Sequence, residues 1–176
     1  MTRVRVATCW LDGCSGCHMS LLDSDERLIE ILERADIVYG PLVDAQEVPR
    51  DIDVALVEGA VGNQDDAKLA RRIRERSRLV VALGDCAVTS NVPGMRNGVP
   101  VRRLLERVYV EGADAGAGVP TEGLPQLLRQ ALPLHDVIPV DIHIPGCPPK
   151  PDLILFALRE LIDGRKPDFA SRARFG

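Results

Sequence analysis

The sequence of 176 residues has few aromatic side chains, no long apolar run and no excess of basic residues. Because Phe, Tyr and Trp make up only 3% of the chain, a core must be built mainly from Val, Leu, Ile and Ala. No apolar stretch reaches the roughly 20 residues that a helix needs to cross a bilayer, so we expect no membrane span. The net charge of −4 argues against nucleic acid as a partner, which requires clustered Lys and Arg.

The start of the chain also lacks an export pattern. Residues 1–10 contain neither a charged and then apolar leader nor a pair of adjacent arginines, so we expect a cytoplasmic protein. Thiols stay reduced in the cytoplasm, and the five cysteines form an odd set. We therefore interpret these cysteines as metal ligands or redox-active thiols rather than as disulfide partners.

The apolar pattern alternates between short runs and helical stretches. Residues 53–58 (DVALVE) and 79–83 (LVVAL) are apolar at consecutive positions, which is typical of parallel strands buried on both faces. The predicted strands cover residues 3–8, 37–39, 53–58, 79–83 and 140–144. The predicted helices cover residues 67–76, 101–108, 124–132 and 152–162, with one more between 18 and 34. This alternation predicts a single α/β domain over residues 1–176, with an open, doubly wound sheet of the flavodoxin type.

Four of the five cysteines follow predicted strands. Cys14 and Cys17 follow the first strand, Cys86 the fourth and Cys147 the fifth. The carboxyl ends of parallel strands lie at one edge of a sheet, so we expect these four thiols to converge there. Thiolates from separate loops suit an iron–sulfur cluster, because sulfur is a soft ligand.

The residues beside these cysteines suit the same chemistry. Gly13, Gly16 and Gly146 allow the backbone to approach a cluster closely and to direct N–H groups at its sulfurs. Pro148 stiffens the loop that carries Cys147. Glu58 ends an apolar strand at the same edge, and we expect it to bond local backbone or to take part in proton handling.

Other interpretations of the cysteines remain open at this point. Cys9, Cys14 and Cys17 have the C-x4-C-x2-C spacing of plant-type ferredoxins with a 2Fe–2S centre, although we interpret Cys9 as a buried structural thiol. Four thiolates also form a closed zinc site in structural modules. The Cys-Ser-Gly-Cys pair taken alone is compatible with a thiol oxidoreductase.

Four segments resemble the small subunit of nickel–iron hydrogenases. They are WLDGCSGCHMSLLD at residues 10–23, VEGAV at 57–61, ALGDCAVTSNVPGMRN at 82–97 and IPGCPPKPD at 144–152. The resemblance implies that Cys14, Cys17, Cys86 and Cys147 hold the 4Fe–4S cluster nearest the nickel–iron centre, with no catalytic residue in this chain.

With cysteines for a single cluster, the chain resembles the small subunit of soluble, bidirectional NAD-reducing hydrogenases. A C-terminal extension with two further clusters, found in membrane-associated relatives, is expected to be absent. The related subunit of respiratory complex I has adjacent cysteines at the first ligand site, where this chain has Cys-Ser-Gly-Cys. A relay subunit of a complex I-like machine is therefore the alternative.

The resemblance implies an electron relay between partner subunits. A nickel-binding large subunit would split hydrogen, and a diaphorase module with ferredoxin-like iron–sulfur subunits, FMN and NAD would receive the electrons. We expect no flavin in this chain, because the loop that holds phosphate in flavodoxins is here the cysteine loop. Glu58→Gln is expected to leave the cluster intact and to slow turnover.

Overall fold

The computed structural model describes residues 3–116 and 118–169, which contain seven strands. The strands are Val4–Trp10 (β1), Ala35–Tyr39 (β2), Ile52–Glu58 (β3), Val61–Asn63 (β4), Ser77–Leu83 (β5), Leu127–Leu132 (β6) and Ile142–Ile144 (β7). Five of them form one parallel sheet in the order β2-β1-β3-β5-β7. Counted within this sheet the order is 2-1-3-4-5, which is the flavodoxin-like arrangement. The predicted α/β fold is confirmed.

Helices cover both faces of the sheet. The α-helices are Gly16–Leu22 (α1), Arg27–Leu32 (α2), Gln64–Arg76 (α3), Gly84–Thr89 (α4), Asn91–Gly94 (α5), Val101–Glu106 (α6) and Pro151–Ile162 (α7). Short 3₁₀ turns cover Met95–Gly98 and Leu134–Asp136, and a π-helical turn, Arg107–Glu111, continues α6. In the described part of the chain, no helix has both the length and the apolar character needed to cross a membrane.

The core has two layers, one on each side of the sheet. On one side Val54, Leu56 and Val81 pack against residues of α1, α2 and α7. On the other side Ala55 and Val57 pack against residues of α3 and α4. Successive strand residues point to opposite faces, so consecutive apolar residues fill both layers, as the runs in β3 and β5 predicted.

The predicted helix over residues 124–132 is wrong. Residues 127–132 form β6, which pairs antiparallel with β4 outside the main sheet. Asn97 supports this strand, because its side chain accepts a hydrogen bond from the Ala131 N–H at 2.8 Å and donates one to the Ala131 carbonyl at 2.9 Å. These partners lie far away in sequence, and local propensity therefore did not reveal them.

Smaller differences concern the limits of the elements. The helix expected between residues 18 and 34 consists of two helices, α1 and α2, and the turn between them contains Asp25 at a φ of 50°. The last strand has three residues, against the five expected over 140–144. This short β7 lies at the edge of the sheet and leads directly into the segment that carries Cys147.

Candidate metal centre

The four cysteines of the predicted site lie at the carboxyl edge of the sheet. Cys14 lies in the loop after β1, Cys17 in the first turn of α1, Cys86 in α4 directly after β5, and Cys147 three residues beyond β7. The parallel pairing of β1, β3, β5 and β7 brings these loops to the same side of the molecule. Cys14 and Cys147, which are 133 positions apart in sequence, thus lie at the same edge of the sheet.

Cys17 is the most enclosed of the four thiols, with 7% of its surface exposed. Burial raises its pKa well above the ordinary value, and the negative charges of Glu58, Cys86, Cys14 and Cys147 raise it further. Burial also raises the pKa of Cys86, and Cys147 and Cys14 add to the shift. The Cβ position of Gly84, two residues before Cys86, lies 2.2 Å from the Cys17 sulfur and 3.4 Å from the carbonyl oxygen of Gly146, the residue before Cys147. The segments that carry Cys17, Cys86 and Cys147 therefore meet at this point.

Glycine makes the close packing around Cys17 possible. A Cβ atom on Gly84 would lie 2.2 Å from the Cys17 sulfur, and Gly84 has a φ of +81° that disfavours any other residue. Near Cys14, the Gly16 N–H donates to the Cys14 sulfur over 3.4 Å. At both positions glycine lets the backbone approach a cysteine sulfur.

The other residues predicted beside the site differ in what they contact. Gly13 packs against Gly59, and its carbonyl accepts a hydrogen bond from the Trp10 indole at 3.1 Å. The Gly146 N–H donates to a carboxylate oxygen of Asp85 rather than to a sulfur. Pro148 is exposed, and the peptide bond that precedes it is cis.

Glu58 lies directly beneath the start of α1 and is 1% exposed. Its carboxylate accepts hydrogen bonds from the N–H groups of Cys17 at 3.3 Å and His18 at 2.9 Å. It also contacts Nδ1 of the His18 ring, while the buried Nε2 of this ring has no hydrogen-bond partner among the described residues. Glu58 therefore bonds local backbone, which is one of the two roles that we considered for it from the sequence.

Cys9 is separate from the other four cysteines. It is 1% exposed and belongs to the core layer that contains Ala55 and Val57, on the side of the sheet opposite to Cys17. Burial, followed by the charge of Asp66, raises its pKa to about 12. A neutral thiol in this position behaves as a small apolar side chain.

The contact between Asp85 and Gly146 was not evident from the sequence. Asp85 precedes Cys86, and its main chain and side chain both bond Gly146, which precedes Cys147. An acid in the first turn of α4 is common at helix starts, so the pattern alone gave no signal for a link to a segment 61 residues away.

The donor set fits an iron–sulfur cluster. Within residues 3–116 and 118–169, no group of three or more His, Cys, Asp or Glu side chains is arranged to hold a metal ion. A cluster of iron and sulfide atoms is larger than one ion, and four thiolates are the ligands that it takes. Cys14 and Cys147 are exposed, whereas Cys17 is buried, so the group opens towards the molecular surface.

A family model described as "NADH ubiquinone oxidoreductase, 20 Kd subunit" matches residues 14–161. The match runs from the first of the four cysteines to a point beyond the fourth. The chain belongs to this family. All four cysteines therefore lie within the matched range. The description of the family names a subunit of NADH ubiquinone oxidoreductase, the complex I relative that we considered as the alternative from the sequence.

Relatives of this chain include components of hydrogenases. One of them, from the F420-non-reducing hydrogenase vhu of Methanocaldococcus jannaschii, is 42% identical over 96% of this chain and 59% of its own length. The delta subunit of the NAD-reducing hydrogenase HoxS of Cupriavidus necator is 36% identical over 96% of this chain and 83% of its own length. The chain spans 55–60% of the length of the first four curated relatives.

Solved structures give the same family relation. A chain in the crystal structure of an NAD+-reducing [NiFe]-hydrogenase in the H2-reduced state has a TM-score of 0.94 and 38% identity. The likeness covers 99% of this chain and 100% of that one. A [NiFeSe] hydrogenase of Desulfovibrio vulgaris Hildenborough, at a TM-score of 0.58 and 20% identity, shares the fold. The resemblance to hydrogenase small subunits is confirmed, and these homologues are components of oxidoreductases.

Proposed function

We propose that this chain is the electron-transfer small subunit of a cytoplasmic, NAD-reducing nickel–iron hydrogenase. It would hold one 4Fe–4S cluster through Cys14, Cys17, Cys86 and Cys147. The observation that carries the proposal is that the parallel strands bring the segments with these cysteines to one sheet edge, where the neighbours of Gly84 include Cys17 and Gly146. These segments converge in a chain that matches a subunit of an NAD+-reducing hydrogenase over its whole length.

The cluster, when bound, would supply a one-electron carrier between a nickel-binding large subunit and a diaphorase module with FMN, NAD and further iron–sulfur subunits. The residues of this chain serve to bind and shield it. Gly84 leaves room for the Cys17 sulfur, and the Gly16 N–H donates to the Cys14 sulfur. Glu58 holds the N–H groups at the start of α1, and this contact fixes the segment that carries Cys17.

Apolar side chains around the thiols support a covering partner. Trp10 and Met19 flank the first two cysteines and are 49% and 55% exposed. Val92 and Met95 follow the helix that carries Cys86 and are 59% and 81% exposed. Exposed apolar residues grouped beside a site are typical of a protein interface. We assign this surface to the large subunit, which would place the nickel–iron site next to the four thiols.

The second candidate is a relay subunit with a different electron acceptor. The F420-non-reducing hydrogenase relative from Methanocaldococcus jannaschii has higher identity to this chain, 42%, than the HoxS relative, 36%. The role of the four cysteines would be unchanged. Only the module that exchanges electrons with this chain would differ, and the same applies to a complex I-like assembly.

The test uses the full chain, purified anaerobically with the subunits that accompany it. Iron, acid-labile sulfide, zinc and nickel are determined for the wild type and for Cys86→Ser, Cys147→Ser and Cys9→Ser. We expect the first two variants to lose about four irons and four sulfides per chain, whereas Cys9→Ser keeps them. Reduction of NAD by hydrogen, lost in the same two variants, identifies the acceptor.

Other results would lead to other functions. A loss of two irons that extends to Cys9→Ser would support a ferredoxin-type 2Fe–2S centre. Zinc without sulfide in freshly isolated protein would indicate a structural module. Hydrogen oxidation without NAD reduction would support the second candidate.

A further inference from the structure

The segment that carries Cys147 has little support from its own strand. β7 has three residues and lies at the edge of the sheet, paired with β5 alone. Cys147 lies three residues beyond the end of β7 and is exposed. Cys17, in contrast, is buried beneath Gly84. Contacts other than the strand must therefore determine where the Cys147 thiol lies.

Asp85 makes two hydrogen bonds to this segment. Its N–H donates to the Gly146 carbonyl at 2.9 Å, and its carboxylate oxygen Oδ1 accepts from the Gly146 N–H at 2.7 Å. Asp85 and Gly146 each precede a cysteine of the site. The two bonds thus join the residue before Cys86 to the residue before Cys147, and they set the spacing between the two thiols.

Asp85 is an acid at a site whose four proposed ligands are themselves negatively charged as thiolates. Placing a carboxylate next to several thiolates costs free energy, because like charges repel. A neutral residue would avoid that repulsion. The gain from Asp85 is an acceptor for the Gly146 N–H, and a hydrogen bond to a charged acceptor is stronger than a neutral one.

Gly146 is the residue for which such a bond matters. Its φ is +136°, and a Cβ atom would lie 2.6 Å from the Cα of Pro149. The backbone therefore folds tightly over itself at this position. Pro148 and Pro149 have no N–H group to donate. The segment is held before Cys147 by the Gly146 N–H, which donates to Asp85, and after it by the Pro149 carbonyl, which accepts from the Ser20 hydroxyl.

We propose that Asp85 is a positioning residue that fixes Cys147 relative to Cys86, an inference that rests on the function proposed above. Without the carboxylate, Gly146 keeps only one of its two bonds to Asp85. The Cys147 thiol then moves away from the other three thiols while Cys14, Cys17 and Cys86 keep their places. Asp85→Asn keeps an acceptor oxygen, whereas Asp85→Ala removes it.

The test measures the reactivity of each cysteine in the full chain, purified anaerobically with its accompanying subunits. Wild type, Asp85→Ala, Asp85→Asn and Asp152→Asn are treated with iodoacetamide, and labelled peptides are quantified over time. Asp152 is a matched control, since it is an exposed acid five residues after Cys147 whose partner is Arg27 rather than the Cys147 segment. Iron per chain is determined on the same samples.

We expect Asp85→Ala to raise the labelling rate of Cys147 relative to Cys17 by at least about tenfold. This factor corresponds to about 1.4 kcal/mol, near the lower limit for a hydrogen bond to a charged group. Asp85→Asn keeps a neutral acceptor that makes a weaker bond, so its ratio is expected to lie between those of the wild type and Asp85→Ala. Asp152→Asn is expected to leave the wild-type ratio unchanged. A change confined to Cys147 distinguishes positioning from a general loss of stability, which would expose all four thiols together.

Three results would overturn the inference. They are an unchanged ratio in Asp85→Ala, equal labelling of all four cysteines in that variant, and an Asp85→Asn variant that behaves like Asp85→Ala. The last result would mean that the charge matters and the acceptor does not. If the wild type itself contains no iron or sulfide, the proposed function fails, and this outcome is separate from the other three.

Discussion

Gly84→Ala tests most directly whether the Cys17 thiol lies where the structure has it. The added Cβ would be 2.2 Å from the Cys17 sulfur, well inside contact distance, and Gly84 has a φ of +81°. Gly164 provides a matched control, because it has a φ of +72° with no atom within 4 Å of the Cβ position. The two substitutions share the backbone strain and differ in the contact with sulfur.

The expected magnitudes follow from these two contributions. Placing alanine at a positive φ costs about 1–2 kcal/mol, and this cost applies at both positions. Forcing a methyl group into a packed site costs a further 1–3 kcal/mol or so, and only Gly84→Ala includes it. The free energy of unfolding should fall by about 2–5 kcal/mol for Gly84→Ala and by about 1–2 kcal/mol for Gly164→Ala.

Anaerobic urea unfolding of the two variants, followed by circular dichroism, measures this difference. Iron per chain is determined in parallel, and we expect a loss of iron in Gly84→Ala only, because the displaced Cys17 sulfur is one of the four proposed ligands. Equal stability of the two variants, together with full iron content in Gly84→Ala, would refute the reasoning. The Cys17 sulfur would then not lie against Gly84.

Three further substitutions test other features of the structure, and a fourth, at Ser24, is a control. Glu58→Gln keeps one acceptor oxygen and should retain iron while losing about 1–3 kcal/mol of stability in urea unfolding; loss of iron would show that both oxygens are needed. The pKa of Cys9 rises from 9.0 to about 12 on folding, so above pH 9 the thiol ionises in the unfolded chain first and stability falls with rising pH, by up to about 1.4 kcal/mol per unit. Cys9→Ala should flatten this fall between about pH 9 and pH 12, and an unchanged slope would contradict the assignment. Ser20 is buried and donates to the Pro149 carbonyl at 2.5 Å, so Ser20→Ala should cost about 1–2 kcal/mol. Ser24, whose buried hydroxyl has no partner among the described residues, should tolerate Ala with little change, and equal losses at the two serines would argue against the Ser20 bond.

The parallel sheet was predictable because its interior strands have a simple signature. β3 is buried at six of its seven positions and β5 at five, and such strands show as unbroken apolar runs. The cysteines then followed from topology, since parallel strands end at one edge. The position of Cys9 in the opposite core layer was also predictable in part, because alternate residues of β1 point to opposite faces.

Contacts between distant segments were not predictable. Residues 127–132 form a strand because β4 and Asn97 supply partners for their backbone, and no local pattern carries that information. Asp85 has the same character, as its partner Gly146 belongs to another loop. The sequence pointed to the glycines beside the cysteines, but not to the hydrogen bonds that connect one loop with the next.

The separation of Cys17 from Cys147 along the chain has a consequence in time. A ribosome adds about 5–20 residues per second, so the 130 residues from 18 to 147 take roughly 7–26 seconds to synthesise. During that interval the first thiols exist without β7 and without the segment that Asp85 holds. All four thiols exist only after residue 147 has been added, so a cluster held by the complete set, as proposed, can form only after that point in translation.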